Sequence, residues 1–286
     1  MLMRSKLFVP GSRPELFPKA AASDADALSF DLEDSVPASH KAEARENLRT
    51  YLAGAAFTHK IMVVRVNAVG TDFFAEDLAA VALARTDLIN LPMVEEPAAI
   101  AEAAARLDRL PEAGHIRLLV NIESPRGLRR AAELAGAHPR VAGLQIGYAD
   151  LLEPTGIDRT DQAALAHLRL VVRFAAAEAG LPAYDAAFPV VKDPDGYRAE
   201  CEAARRHGFA GKSCIHPSQI AMANAAFLPT PAEVEWSRRI LVAAAEGEAH
   251  GHGAILVDGR MIDAPFLSRA RAVVALADLH AKAKSR

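Results

Sequence analysis

Two acids hold the positions where this chain could do chemistry. Glu123 lies in Val120-Asn121-Ile122-Glu123-Ser124-Pro125, which closes the apolar run Ile116-Arg117-Leu118-Leu119-Val120. Asp150 ends Leu144-Gln145-Ile146-Gly147-Tyr148-Ala149-Asp150. Each reads as the junction between a buried strand and the next element of the chain. At the first junction, Ser124 can cap a helix and Pro125 suits its first turn, where a backbone donor would be unused. Two carboxylates on neighbouring strand ends can hold one hard divalent cation, Mg2+ or Mn2+, with water and substrate oxygens filling the other positions. With no His/Cys cluster beside them, a hard metal is favoured over zinc. Taken singly, an acid at a strand end more often caps a helix or pairs with a cation.

Other side chains could serve such a site. Arg65 ends a β-branched strand, where an arginine is costly unless paired. It can pair with Glu33 and Asp34 in the cluster Asp31-Leu32-Glu33-Asp34. It can instead turn its guanidinium fork to a substrate carboxylate or a developing oxyanion. Arg13 and Lys19 flank a helix expected near 13–22, as a solvated face or as anion binders beside the helix N-terminus. Gly211-Lys212-Ser213-Cys214-Ile215-His216-Pro217 ends the last strand of the series, where barrels often bind phosphate. His216 reads better as a capping or core histidine than as a general base. His250 and His252 have metal-like spacing, but flanking glycines suggest a mobile loop. Asp263 alone would be a turn or N-cap aspartate.

The elements that must position these residues alternate. Strands are expected at 6–9, 27–32, 61–66, 88–91, a fifth ending at Glu123, then 141–146, 183–188 and 211–215. Helical patterns lie between them, near 39–52 where Ser39 can serve as N-cap, 72–84, 97–107, from Pro125 toward Leu134, a long one that Thr160 or Asp161 can cap and that runs to about 179, and 194–207. The stretch 150–158 reads as irregular, with Pro154 and Gly156 as breakers. Eight strand–helix alternations in about 225 residues favour a closed (β/α)8 TIM barrel over an open doubly wound sheet. Pro10-Gly11-Ser12-Arg13-Pro14 also lacks the glycine pattern of a dinucleotide-binding turn. Residues 1–228 are thus expected to form the barrel. Residues 229–286 read as a helix, a hairpin turning at Asp258-Gly259, and a final helix from Pro265, an appended C-terminal α/β lid module.

Composition narrows the partners. Of 286 residues, 51% are apolar and 24% charged, which supports a sizeable core. A net charge of −3 gives no basic excess for nucleic acid. No apolar run approaches the ~20 residues that span a bilayer, and the start lacks a signal-peptide stretch. The two cysteines form no CxxC. A soluble cytoplasmic protein is the expectation.

Arg4-Ser5-Lys6-Leu7-Phe8-Val9-Pro10-Gly11, Asp31-Leu32-Glu33-Asp34-Ser35-Val36-Pro37, Arg65-Val66-Asn67, Asn121-Ile122-Glu123-Ser124, the run from Gly211 to Gln219, and Met261-Ile262-Asp263 occur in one order. Together they resemble the citrate lyase β-subunit-like family of the HpcH/HpaI aldolase superfamily, which includes malyl-CoA and citramalyl-CoA lyases. The resemblance covers nearly the whole chain. It implies a (β/α)8 barrel in homotrimers or hexamers, with a C-terminal lid that completes a neighbour's site. It implies that Glu123 and Asp150 ligate Mg2+ and that Arg65 contacts the reacting oxygens. Phe8, Arg13 and Lys19 match positions that hold coenzyme A. Glu33 and Asp34 fall in the outer shell of the metal, and Asp263 matches the lid aspartate used as acid/base. The implied reaction is cleavage of a 3-hydroxy-3-carboxy acyl-CoA into an acyl-CoA and a 2-oxo acid. Its rivals are a citrate lyase β-subunit acting on citryl-acyl-carrier protein, a thioesterase, and a non-catalytic CoA-binding barrel. The sequence departs from the family at Pro92-Met93-Val94, where Pro-Lys-Val is frequent. It departs again at Tyr148, where a small residue is preferred, and across 150–156, where the family runs Asp-Leu-x-x-Asp-Leu-Gly. These departures fall near the expected pocket and bear on the substrate.

Overall fold

The strands are short and buried on both faces, as a parallel sheet covered by helices requires. Every residue of β2 (Ala27–Asp31) and of β4 (Leu88–Leu91) is buried. The computed structural model describes residues 2–54, 59–249 and 254–284. In it, β1 (Ser5–Pro10), β2, β3 (Ile61–Arg65), β4, β5 (Arg117–Ile122), β6 (Val141–Ile146), β7 (Ala183–Asp185) and β8 (Gly211–Cys214) close in sequence order into one parallel barrel. Closure is the β1–β8 pairing, which sets Lys6 beside Ser213. The helices are α1 (Phe17–Ala21), α2 (Lys41–Gly54), α3 (Phe74–Val81), α4 (Pro97–Leu107), α5 (Pro125–Arg129), α6 (Ala131–Ala135), α7 (Tyr148–Leu152), α8 (Gln162–Glu178), α9 (Pro194–Arg206) and α10 (Ile220–Ala226). The expected (β/α)8 barrel is the observed fold.

The two-residue period of a strand explains where polar groups go. Leu7, Val9, Leu28, Phe30 and Val64 join the large core outside the sheet. Ala27, Val63, Leu88 and Leu119 belong to a separate small cluster. Stepping two residues along each strand from that cluster reaches Ser29 and Asp31, Arg65, Asn90, and Asn121. The interior is therefore apolar at the N-terminal end of the strands and polar at the C-terminal end, the end at which barrels build their sites.

Several boundaries differ from the sequence expectation. After β1 there is a 3-10 turn (Pro14–Leu16) and then the five-residue α1, not a helix over 13–22. Ser39 does not cap α2. It lies in a 3-10 turn after Pro37, and its hydroxyl meets His40 Nδ1 at 3.0 Å. The helix after Glu123 breaks at Arg130 into α5 and α6. The stretch expected to be irregular begins as α7, which ends before Pro154, so Asp150 stands in the first turn of a helix.

Residues from Leu228 onward form a second compact unit. It contains α11 (Pro231–Ala249), β9 (Ile255–Val257), β10 (Arg260–Ile262) and α12 (Ala264–Lys284). Thr230 and Glu233 make a reciprocal capping box at the start of α11. Asp258 (φ 50°) and Gly259 (φ 75°) both adopt the left-handed conformation that a two-residue hairpin turn demands. Ile240, Val257, Ile262 and Ala270 are its core. His250 and His252 lie outside the described residues. No helix among the described residues is long and apolar enough to cross a membrane.

Candidate active site

A cavity of about 300 Å3 opens at the C-terminal end of the barrel, with Glu123, Asp150, Arg65, Asp34 and Phe8 in its walls. A larger cavity, of about 730 Å3, runs along α11 in the second unit. Among the described residues its walls carry no buried polar atom without a partner, whereas Gln145 Oε1 and Ser213 Oγ in the barrel cavity are such atoms. Unpartnered buried polar atoms are what a ligand would satisfy.

Glu123 is held by its local sequence. Ser124 accepts a hydrogen bond from Gly127 N at 3.1 Å and caps α5, with Pro125 in its first turn. The carboxylate accepts from Met93 N at 2.7 Å through Oε1 and from Asn121 Nδ2 at 3.1 Å through Oε2. Asn90 Nδ2 donates to Asn121 Oδ1 at 2.7 Å and fixes that amide. Met93 reaches this position with φ 51°, which is strained for a side chain with a Cβ and a common sign of a functional loop. Burial pushes the Glu123 carboxyl up to about 7. The Met93 N–H opposes that push and the Asp150 charge adds to it. Asp150 is itself raised, by burial and then by the Asp34 charge.

Oxygen donors and excess negative charge suit a hard cation, and the unpartnered Gln145 Oε1 adds a neutral acceptor to the same cavity. No group of three or more His, Cys, Asp or Glu side chains among the described residues is placed to hold a metal by itself. Magnesium fits such a two-carboxylate site because it keeps several waters.

Arg65 is engaged. Its Nε and Nη2 donate to Asp31 Oδ1 and Oδ2 at 2.7 and 2.8 Å. Its Nη1 lies 2.7 Å from Glu33 Oε2 and donates to Asp34 Oδ2 at 3.1 Å. The pairing reading of Arg65 therefore describes the structure, with Asp31 as the main partner and Glu33 and Asp34 as secondary ones. Burial drives Glu33 up to about 8, which Arg65 opposes and Asp34 reinforces.

Phe8 lies between two cations, with Lys6 Nζ 4.4 Å and Arg65 Cζ 5.2 Å from its ring centre. Arg13 and Lys19 are exposed and outside this cavity's walls, and Arg13 pairs with Glu15. The short α1 gives them no helix terminus of the strength first expected. Asp263 belongs to the second unit. It precedes α12 and its carbonyl accepts from Leu267 N at 3.1 Å, while Oδ1 is buried without a partner. His216 caps the 3-10 turn after β8, accepting from Ser218 N at 3.2 Å. Lys212 is no phosphate ligand here. It is fully buried on Asp185 at 2.8 Å and Glu200 at 2.6 Å.

Residues 4–217 match the model of the family described as HpcH/HpaI aldolase/citrate lyase. The chain belongs to that family. Among its relatives in the HpcH/HpaI family, a (3S)-malyl-CoA thioesterase of Cereibacter sphaeroides is 39% identical over 276 residues, 96% of this chain and 94% of the relative. A citrate lyase subunit beta of Leuconostoc mesenteroides subsp. cremoris is 32% identical over 283 residues, 97% of this chain and 94% of the relative. The crystal structure of CitE from Mycobacterium tuberculosis, in complex with magnesium, acetoacetate and coenzyme A, superposes with a TM-score of 0.77. It is 33% identical, covering 96% of this chain and 97% of that one.

Three parts of this HpcH/HpaI site escape a reading of the sequence. Asp31 shows there only as part of an acidic cluster, although its inward place on β2, opposite Arg65 on β3, is readable from strand period and register. Lys6 alternates inward with Phe8 on β1 and is fully buried. Arg159 also lines the cavity, and nothing in its local sequence announces that.

Proposed function

We propose that this protein is a Mg2+-dependent carbon–carbon lyase that reversibly cleaves a 3-hydroxy-3-carboxy acyl-CoA into an acyl-CoA and a 2-oxo acid. The observation that carries this reading is Glu123, a buried carboxylate fixed by two donors and facing the Asp150 carboxylate's charge at the open end of the barrel. Glu123 and Asp150 would hold the metal. A Mg2+ ion held there would supply Lewis-acid stabilisation for the negative charge that develops as the carbon–carbon bond breaks.

The chain's own groups do the rest. Met93 N and the Asn90–Asn121 pair keep Glu123 from rotating. Asp31 locks the Arg65 fork in plane, so that Arg65 presents a fixed positive charge to the reacting oxygens. Phe8, Arg13 and Lys19 are assigned to the coenzyme A moiety, Phe8 from the cavity wall and the two cations from the surface beyond it. Glu33 and Asp34 shape the charge around Arg65 and Asp150. Asp263 is assigned the proton exchanged with the thioester α-carbon, supplied from the lid of a second subunit in a homotrimer or hexamer. Its Oδ1 has no hydrogen-bond partner among the described residues, which leaves the carboxylate uncommitted.

Glu123→Ala and Asp150→Ala test the reading. Each should abolish Mg2+-dependent cleavage and weaken Mg2+ binding, while the far-UV dichroism and melting temperature stay near those of the parent. Unchanged cleavage in either variant removes the assignment. A thioesterase is the second reading, favoured by the malyl-CoA thioesterase relative.

A further inference from the structure

The stretch of cavity wall that carries Arg159 has its own charge balance. Arg159 lines it, with the guanidinium carbon 4.5 Å from the centre of the Tyr148 ring. Arg159 Nη2 donates to Glu200 Oε1 at 2.8 Å. Tyr148 is fixed in turn, its hydroxyl donating to Asp185 Oδ1 at 2.9 Å. Asp185 also accepts from Arg169 and Lys212, and Lys212 shares Glu200 Oε1 with Arg159. This cluster holds three cations, Arg159, Arg169 and Lys212, against two anions, Asp185 and Glu200.

The excess positive charge has one outlet. Arg169 and Lys212 are sealed in, each with a side chain 1% exposed or less, while the Arg159 side chain keeps 21% exposure. A guanidinium carries five N–H donors, and only one of Arg159's has an acceptor among the described residues. Of the neighbouring acids, Asp158 is turned to Thr160, and Glu153 is exposed at the rim. A planar fork laid on an aromatic ring, pinned at one nitrogen and open at the rest, is pre-organised for a carboxylate.

We propose that Arg159, seated on Tyr148, receives a second carboxylate of the substrate, so that the 2-oxo acid this enzyme releases is a dicarboxylate. The inference rests on the lyase reading above. It gives Glu123 and Asp150 the metal and the 2-oxo carboxylate, and Arg159 the distant carboxylate. Tyr148, where the family prefers a small residue, becomes the platform that sets the arginine's height.

Calorimetric titration of the Mg2+-loaded protein with oxaloacetate and with pyruvate tests this, because the two differ by one carboxylate. The parent should bind oxaloacetate roughly ten- to a hundredfold more tightly than pyruvate, the worth of a charge-assisted hydrogen bond. Arg159→Gln should erase that ratio and leave pyruvate affinity within about twofold, since Glu123 and Asp150 are unchanged. Arg159→Lys, which keeps the charge, should retain part of the ratio and controls for folding. Equal affinities in the parent, or equal losses for both acids in Arg159→Gln, overturn the assignment. Binding of neither acid by the parent would overturn the lyase reading itself, and this subsite with it. The two failures are thus distinguishable.

Discussion

A Cβ built on Gly147 would lie 2.7 Å from the Cβ of Glu123. Gly147 has φ −119°, so its backbone is ordinary and the constraint is space alone. The end of β6 and the residue after β5 pass so closely that one of them must lack a side chain. The two strand ends that carry the acids are brought together by this approach.

Gly147→Ala should therefore displace Glu123 rather than unfold the barrel. Overpacking of this kind costs about 1–3 kcal/mol. Mg2+ binding, followed by calorimetry, should weaken at least tenfold, with a melting temperature lowered by only a few degrees. A variant that binds Mg2+ like the parent would show that Glu123 does not need its observed position.

Lys6 gives a pH dependence. Burial holds its ammonium down to about 7, helped by Arg65 and opposed by Asp31 and Glu123, from an ordinary value of 10.5. Its Nζ has no hydrogen-bond partner among the described residues. Below pH 7 the folded and unfolded chains both hold the proton, and the folded state bears the whole cost. Between about 7 and 10.5 only the unfolded chain holds it, so this residue's destabilising effect fades as pH rises. Lys6→Met should be more stable than the parent at pH 7, by an amount on the order of a few kcal/mol. That advantage should shrink in denaturant titrations taken toward pH 10. Parallel stability curves for the two proteins would contradict the buried, unpaired ammonium.

Asp263→Asn should stop the exchange of acetyl-CoA α-protons with deuterated water, read by proton NMR, while calorimetric binding of the oxo acid survives. Persistence of exchange at the parental rate would make Asp263 a structural residue at the head of α12.

Much of the barrel was legible because its signals are local. Runs such as Ile61-Met62-Val63-Val64 and Leu88-Ile89-Asn90-Leu91 are strands for the reason they look like strands, being buried on both faces. Ser124, Asp161 and the Asp258-Gly259 turn carry their geometry in their own side chains or backbone. What escaped depends on distance. The break at Arg130 has no glycine or proline to announce it. The α7 turn was hidden by Pro154 and Gly156, which end structure only after Asp150 has been placed. Asp31 under Arg65, Lys6 under Phe8 and Arg159 on Tyr148 exist only once the barrel has closed. The run from Gly211 to Pro217 suggested a phosphate loop, because the outward position of Lys212 on β8, against Asp185 and Glu200, cannot be told from a loop position by composition.

The central claim is that a carbon–carbon bond breaks, and product identity tests it most directly. The purified protein is given malyl-, methylmalyl-, citramalyl- and citryl-CoA, with Mg2+ and again with EDTA, and the products are separated and weighed by mass spectrometry. The account predicts a 2-oxo acid and a shortened acyl-CoA in equal amounts from at least one thioester, both abolished by EDTA. Release of free coenzyme A with an intact hydroxy acid, and no 2-oxo acid from any of the four, would contradict it.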